Sequence, residues 1–379
     1  MRSSTSGTLQ IPYKILILFG LSTNIALGQV VPPMPQDEPE PQAPTNRFGM
    51  PQEGWVVARF TVLADGTTSD VRVIDKMPAA LSAETVEETI ASWRFAPATD
   101  DGEPIAWYNN ETAILFDTPA LPALQGDAPP APPQQSGRRP AIGTGRSLDT
   151  GSRGGTPIAP GEPRPAFITG YREVEDMLAA GEVEDALERS DELVGREAER
   201  VSEISVGLVQ NARVHFEAGD LHEAYAAIAR VTHPDLPVLD PTELPVALQY
   251  RNVVELRLGD MAGALETYER RQAAGPIPES DLMAANAETI EESLNSTEIA
   301  IAVKGKILDE TWSHTPLRRT FAIGDVEGDL RNLRFECDRR TGELEFSDQS
   351  EYTLPENFGD CLVTLEGRRG AEFTFYEFE

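Results

Sequence analysis

The sequence predicts a multidomain chain: an α+β module of β-β-α-β order, then an all-α helical-repeat region, then a C-terminal all-β domain. Three observations carry that division. Alternating apolar positions around an Asp-Gly turn lead into a helical period between Trp55 and Phe116. A glycine turn recurs three times between Phe167 and Ser296, and short alternating runs separated by turns fill residues 297–379. At 379 residues there is room for two or three domains.

Residues 1–28 have the layout of a secretory signal peptide. Arg2 and Lys14 precede the apolar run Ile15 to Leu21, and the small residues Ala26-Leu27-Gly28 follow, so cleavage is expected after Gly28. Ser22, Thr23 and Asn24 interrupt the apolar centre, which falls short of the ~20 residues a spanning helix needs. The alternative is an uncleaved inner-membrane anchor over residues 13–31. No cysteine follows the apolar run, which closes the lipoprotein route. Residues 29–48 are proline-rich and read as a spacer.

Residues 49–118 form the first domain. Val56, Ala58, Phe60 and Val62 share one strand face and the mixed set Trp55, Val57, Arg59 and Thr61 the other, as in a half-buried strand. Asp65-Gly66 supplies the hairpin turn, and Val71 and Val73 resume the alternation. A helix follows, with Ser82 as its expected cap and Glu84, Glu87 and Glu88 in its early turns. Val86, Ile90 and Trp93 mark its apolar face, and Pro97 is its stop. Beyond Asp101-Gly102, Thr112–Phe116 is read as a third strand at a sheet edge. Its unpaired backbone groups could accept an extended peptide, with Thr112, Ile114 and Phe116 on one face and Ala113 and Leu115 between them.

This order of residues resembles the C-terminal domain of TonB energy-transducer proteins. The resemblance rests on Ala64-Asp65-Gly66, Val71 and Val73, the run Trp93-Arg94-Phe95-Ala96-Pro97-Ala98, and Gly102-Glu103-Pro104. A Tyr-Pro entry upstream is replaced by Asn46-Arg47-Phe48-Gly49-Met50-Pro51, a departure at the receptor-contacting edge. The resemblance implies a periplasmic module that engages TonB-dependent outer-membrane receptors by β-strand addition, linked to transport across the cell envelope. The alternative is a periplasmic scaffold whose TonB-like domain is not coupled to energy transduction.

Residues 119–166 hold proline-rich and glycine-rich runs and read as a flexible linker. They lack the Gly-Lys-Ser/Thr ending, the strand and the helix start of a phosphate cradle. In residues 167–296, Gly181, Gly219 and Gly259 stand 38 and 40 apart, each five residues before an alanine, Ala186, Ala224 and Ala264. This resembles tetratricopeptide repeats of irregular period, which implies either a partner-binding groove or a plain helical spacer. The domain at 297–379 holds both cysteines, Cys337 and Cys361, near strand ends. In an exported chain they are expected to form a disulfide.

Composition narrows the partners. Lysine and arginine total 32 against 63 acidic residues, a net charge of −31, which repels nucleic acid and anionic lipid heads alike. Membrane contact is therefore expected only through an uncleaved N-terminus. No cofactor and no catalysis are expected. His222-Glu223 begins like a zinc-protease helix but has Ala226 where the second ligand belongs, and there is no nucleophile elbow.

Overall fold

The computed structural model describes residues 30–46, 49–117, 161–276, 282–296, 300–348 and 350–378. The expected signal segment, residues 1–28, and residues 118–160 of the low-complexity stretch lie outside them.

The expected spacer is folded onto the first module. Strands β1 (Val30–Val31) and β2 (Met34–Asp37) pair antiparallel with two later strands, β6 (Ala98–Asp100) and β5 (Arg94–Ala96). Prolines cannot donate to a ladder but are tolerated in short edge strands, so the composition that signals a linker also permits this pairing. The Trp93 indole Nε1–H donates to the Pro39 carbonyl at 3.0 Å and pins the segment.

The module's main sheet has the order β4-β3-β8, with β3 (Gly54–Val62) between β4 (Thr68–Met77) and β8 (Trp107–Phe116). Val56, Ala58, Phe60 and Val62 meet Val86 and Ile90 of α1 (Glu84–Ser92) in one core. Ser82 does not cap this helix; Ala83 holds the cap position without a side-chain bond. Nor does the helix extend through Trp93 to Ala98. Trp93 is already extended, and Phe95 N–H donates to the Gly66 carbonyl at 2.9 Å, so residues 94–96 become β5. The hairpin at Asp101-Gly102 joins β6 to β7 (Glu103–Ile105).

The second face of β3 is buried as well, contrary to the half-buried expectation. Trp55 and Val57 join Ile204, Leu208, Ile228 and Val231 of the helical region in a single core, with Ala113 and Leu115 of β8 packed against it. Alternation within one strand cannot show that another domain covers its mixed face.

The helical region comprises α2 (Pro165–Ala180), α3 (Val183–Glu192), a π turn at Leu193–Glu197, α4 (Val201–Ala218) and α5 (Leu221–Val231). It continues with α6 (Leu244–Leu258), α7 (Met261–Ala273) and α8 (Leu282–Leu294). Gly181, Gly219 and Gly259 end α2, α4 and α6 in the left-handed conformation, at φ 79°, 88° and 84°. In each case the next N–H reaches back five residues: Glu182 to Met177, Asp220 to His215, Asp260 to Glu255. Ala186, Ala224 and Ala264 are fully buried where the paired helices meet.

The C-terminal domain is a sandwich of two antiparallel sheets. One has the order β10-β15-β12-β13, from β10 (Thr311–His314), β12 (Leu330–Cys337), β13 (Thr341–Glu345) and β15 (Cys361–Gly367). The other has the order β14-β11-β16-β9, from β9 (Ile301–Lys306), β11 (Thr320–Glu327), β14 (Glu351–Thr353) and β16 (Glu372–Phe378). Strands β10 and β14 carry little sequence signal, being four and three residues long. Cys337 and Cys361 face each other across β12 and β15 and form the disulfide.

Candidate partner-binding edge and its surroundings

Strand β8 is an edge strand, bonded in its ladder to β3 alone. Which of its backbone groups face outward follows from the hairpin. Leu63 N–H donates to the Thr67 carbonyl, toward β4, so alternation turns the even residues of β3 toward β8. The Asn110 side-chain amide donating to the Phe60 carbonyl fits that parity. Since Ala58, Val56 and Gly54 pair with Thr112, Ile114 and Phe116, these three bond inward. Ala113 and Leu115 therefore direct N–H and C=O to the free edge. Among the described residues, no backbone group outside β3 bonds to Glu111–Phe116.

The side chains divide differently from the backbone. Ile114 and Phe116 belong to the core with α1, while Ala113 and Leu115 face the helical region. Ile114 and Phe116 are thus framework, and the pocket role expected for that face does not fall to them.

The edge is closed at its start. Tyr108 N–H donates to the Asp338 carbonyl at 2.8 Å, so the turn after β12 abuts the first residues of β8. A chain of ion pairs ties the surroundings together. Arg72 meets Glu336, which lies 3.9 Å from Arg59; Arg59 binds Glu111 at 2.7 Å, and Glu111 accepts from His233 at 2.9 Å. Burial works to raise the Glu111 carboxyl, but His233 and Arg59 outweigh it and hold its pKa below the ordinary range. A cleft of about 690 Å³ lies where the three parts meet, lined among others by Arg59, Asp75, Arg230, Arg251, His314 and Leu317. None of these contacts has a local sequence signal, because each joins residues far apart in the chain.

The motif residues of the first module support the sheet. Asp65 Oδ1 accepts from Thr67 N–H and Oγ1–H at 2.9 and 2.6 Å, which fixes the hairpin turn. A Cβ on Gly66 would lie 2.1 Å from the Phe95 carbonyl oxygen, so the turn docks only as glycine. Trp93 and Phe95 pack on Phe60, Pro97 lies beside the Gly66 turn, and Ala98 is fully buried.

Residues 40–118 match the family model of the Gram-negative bacterial TonB protein C-terminal. The matched segment of this TonB C-terminal-like module begins just after β2, leaves β1 and β2 outside, runs through β8 and takes in roughly a fifth of the chain. Among solved structures, the crystal structure of the Sgt2 TPR domain from Aspergillus fumigatus is 20% identical over 34% of this chain and 80% of that one, with a TM-score of 0.28. A score that low carries no weight, and the repeat description rests on the three glycine turns. No curated protein matches the chain.

The histidines are dispersed. His215 lies against Asp191, His233 against Glu111 and His314 against Glu377, while His222 sits on α5. Among the described residues, no group of three or more His, Cys, Asp or Glu side chains is placed to hold a metal ion. No described helix is long and apolar enough to cross a membrane.

Proposed function

We propose that the chain is a periplasmic, non-catalytic protein-binding component of the TonB system. Its β8 edge takes an extended segment of an outer-membrane receptor as an added strand, in support of transport across the envelope. The observation that carries this is the outward set of N–H and C=O groups at Ala113 and Leu115 on a TonB C-terminal-like sheet. Backbone pairing gives affinity there without using core side chains. A second reading, a periplasmic scaffold uncoupled from energy transduction, draws on the burial of Trp55, Val57 and Leu115 against the helices, which makes the module one wall of a larger body.

The test uses Ala113→Pro in the full chain. Proline there removes an outward donor and no bond to β3, so folding is expected to survive. Under the first reading, receptor-dependent uptake and receptor-peptide binding drop at least tenfold while the circular dichroism spectrum is unchanged. Normal uptake by cells carrying the folded variant favours the scaffold.

A further inference from the structure

The cleft of about 690 Å³ is walled by β3 and β4 of the first module, by α5 and α7, and by the loop after β10. Its size and its place between domains are those of a ligand site. Val57, Tyr225 and Ala229 make part of its wall apolar. Two of the eight exposed large apolar side chains among the described residues, Ile74 and Leu317, reach it from different domains. Leu317 is held in place there. His314 Nε2 lies 2.9 Å from one oxygen of the buried Glu377, and Arg318 N–H donates to the other at 2.9 Å, so residues 315–317 are anchored at both ends. On the module's side, Asp75 beside Ile74 is tied to Arg230 at 3.0 Å. Apolar side chains presented this rigidly lower the ordering cost of binding.

The charges in the cleft are unbalanced. Five carboxylates, Asp75, Glu111, Asp260, Glu266 and Asp360, line it against the three guanidiniums of Arg59, Arg230 and Arg251. All three guanidiniums are engaged: Arg59 by Glu111, Arg230 by Asp75, and Arg251 by the buried Glu255 at 2.7 Å. Asp260 caps α7 by accepting from Gly263 N–H at 2.9 Å. Glu266 and Asp360 are exposed and form no ion pair among the described residues. Cations in their neighbourhood are committed elsewhere, Arg270 to the Thr232 carbonyl, Arg319 to the Gly359 carbonyl and Arg339 to Asp100. We propose that this cleft docks a short segment of a partner protein in which Lys or Arg adjoins a large apolar residue. The apolar side chain packs against Ile74 and Leu317, and the cation meets Glu266 and Asp360 in charge-assisted hydrogen bonds. At a net charge of −31 the chain repels its own copies, so the segment belongs to a different protein. The site makes no use of the outward backbone groups of β8 and is independent of strand addition.

The experiment is selection from a random seven-residue peptide library, displayed with both ends linked, on the immobilised full chain, its Glu266→Gln/Asp360→Asn double variant and Leu317→Ser. The three substituted side chains are exposed, and urea midpoints equal to that of the unmodified chain show that folding is kept. The expected result is a set of peptides, enriched on the unmodified chain, in which Lys or Arg stands next to Leu, Ile, Phe or Met. Each variant should bind them about fivefold more weakly or worse, the one through lost charge and the other through lost apolar contact. A selection that enriches no such pairing, or enriches it equally on the unmodified chain and both variants, overturns the inference and leaves the reading of the β8 edge where it stood.

Discussion

Gly219 and Gly259 occupy the same turn of successive repeats at nearly the same φ, 88° and 84°, yet their surroundings differ. A Cβ on Gly219 meets nothing within 4 Å, while one on Gly259 would lie 2.2 Å from the Ala302 carbonyl oxygen in the sandwich domain. Gly219→Ala is expected to cost about 1 kcal/mol, the ordinary penalty for a left-handed alanine. Gly259→Ala should cost roughly 3 kcal/mol, because a neighbouring domain must also shift. Urea denaturation of the two variants side by side checks the difference. Glu255 gives a second test. It is fully buried against Arg251 at 2.7 Å, and burial raises its carboxyl from the ordinary 4.5 to about 7, with Arg251 opposing. A carboxyl whose folded pKa is raised keeps its proton longer when folded, so its favourable contribution is present below 4.5 and fades as the pH climbs through about 7. Stability of Glu255→Gln relative to the unmodified chain should therefore rise across that window and level off above it, as denaturation curves at successive pH values would show.

Among the elements, the Cys337–Cys361 bridge joins β12 to β15 at the base of the turn that caps β8. It closes a sequence separation of 24, for which loop-closure entropy gives roughly 3 kcal/mol. The double Cys→Ala variant should lose about that much, and non-reducing peptide mapping of the unmodified chain should recover the two cysteines in one linked pair. Elements set by local rules were legible in sequence. The Asp65-Gly66 hairpin and the three glycine turns stand where alternation and turn chemistry place them. Elements held by distant partners were not. β2 exists because β5 pairs with it, and β5 exists because Gly66 takes the Phe95 N–H, and neither partner is visible from within the segment. The outward edge at Ala113 and Leu115 was legible as a strand at the end of its unit, whereas its cap at Tyr108 required the sandwich domain.

The described parts of the chain are tied to one another. Trp55 and Val57 of β3 complete a core built mainly by α4 and α5, Val201 N–H donates to Glu53, and Arg230 pairs with Asp75 at 3.0 Å. Removing residues 49–118 would therefore expose Ile204, Leu208 and Ile228 rather than excise an independent unit, and point variants are the sound way to probe the edge. Trp55→Ala should cost about 3–5 kcal/mol and lower the stability of the helical region together with the sheet. Hydrogen exchange should show protection falling in both β3 and α4. Loss confined to the module would contradict a shared core.

A length of chain gives reach only when its ends sit on bodies free to part. Residues 118–160 leave from β8, whose Leu115 packs on the shared core, and return at α2, where Arg164 is held by Glu203 through its backbone N–H and its guanidinium at 2.7 and 2.8 Å. Both anchor points belong to one body, so their separation is fixed by the shared core and not by the number of residues between them. A pull applied through the N-terminus would enter at β1, only two residues long, and peel it from β6 before loading β2 and the Trp93–Pro39 bond. The mechanical weak point is thus the entry, a two-residue strand held by β6 alone.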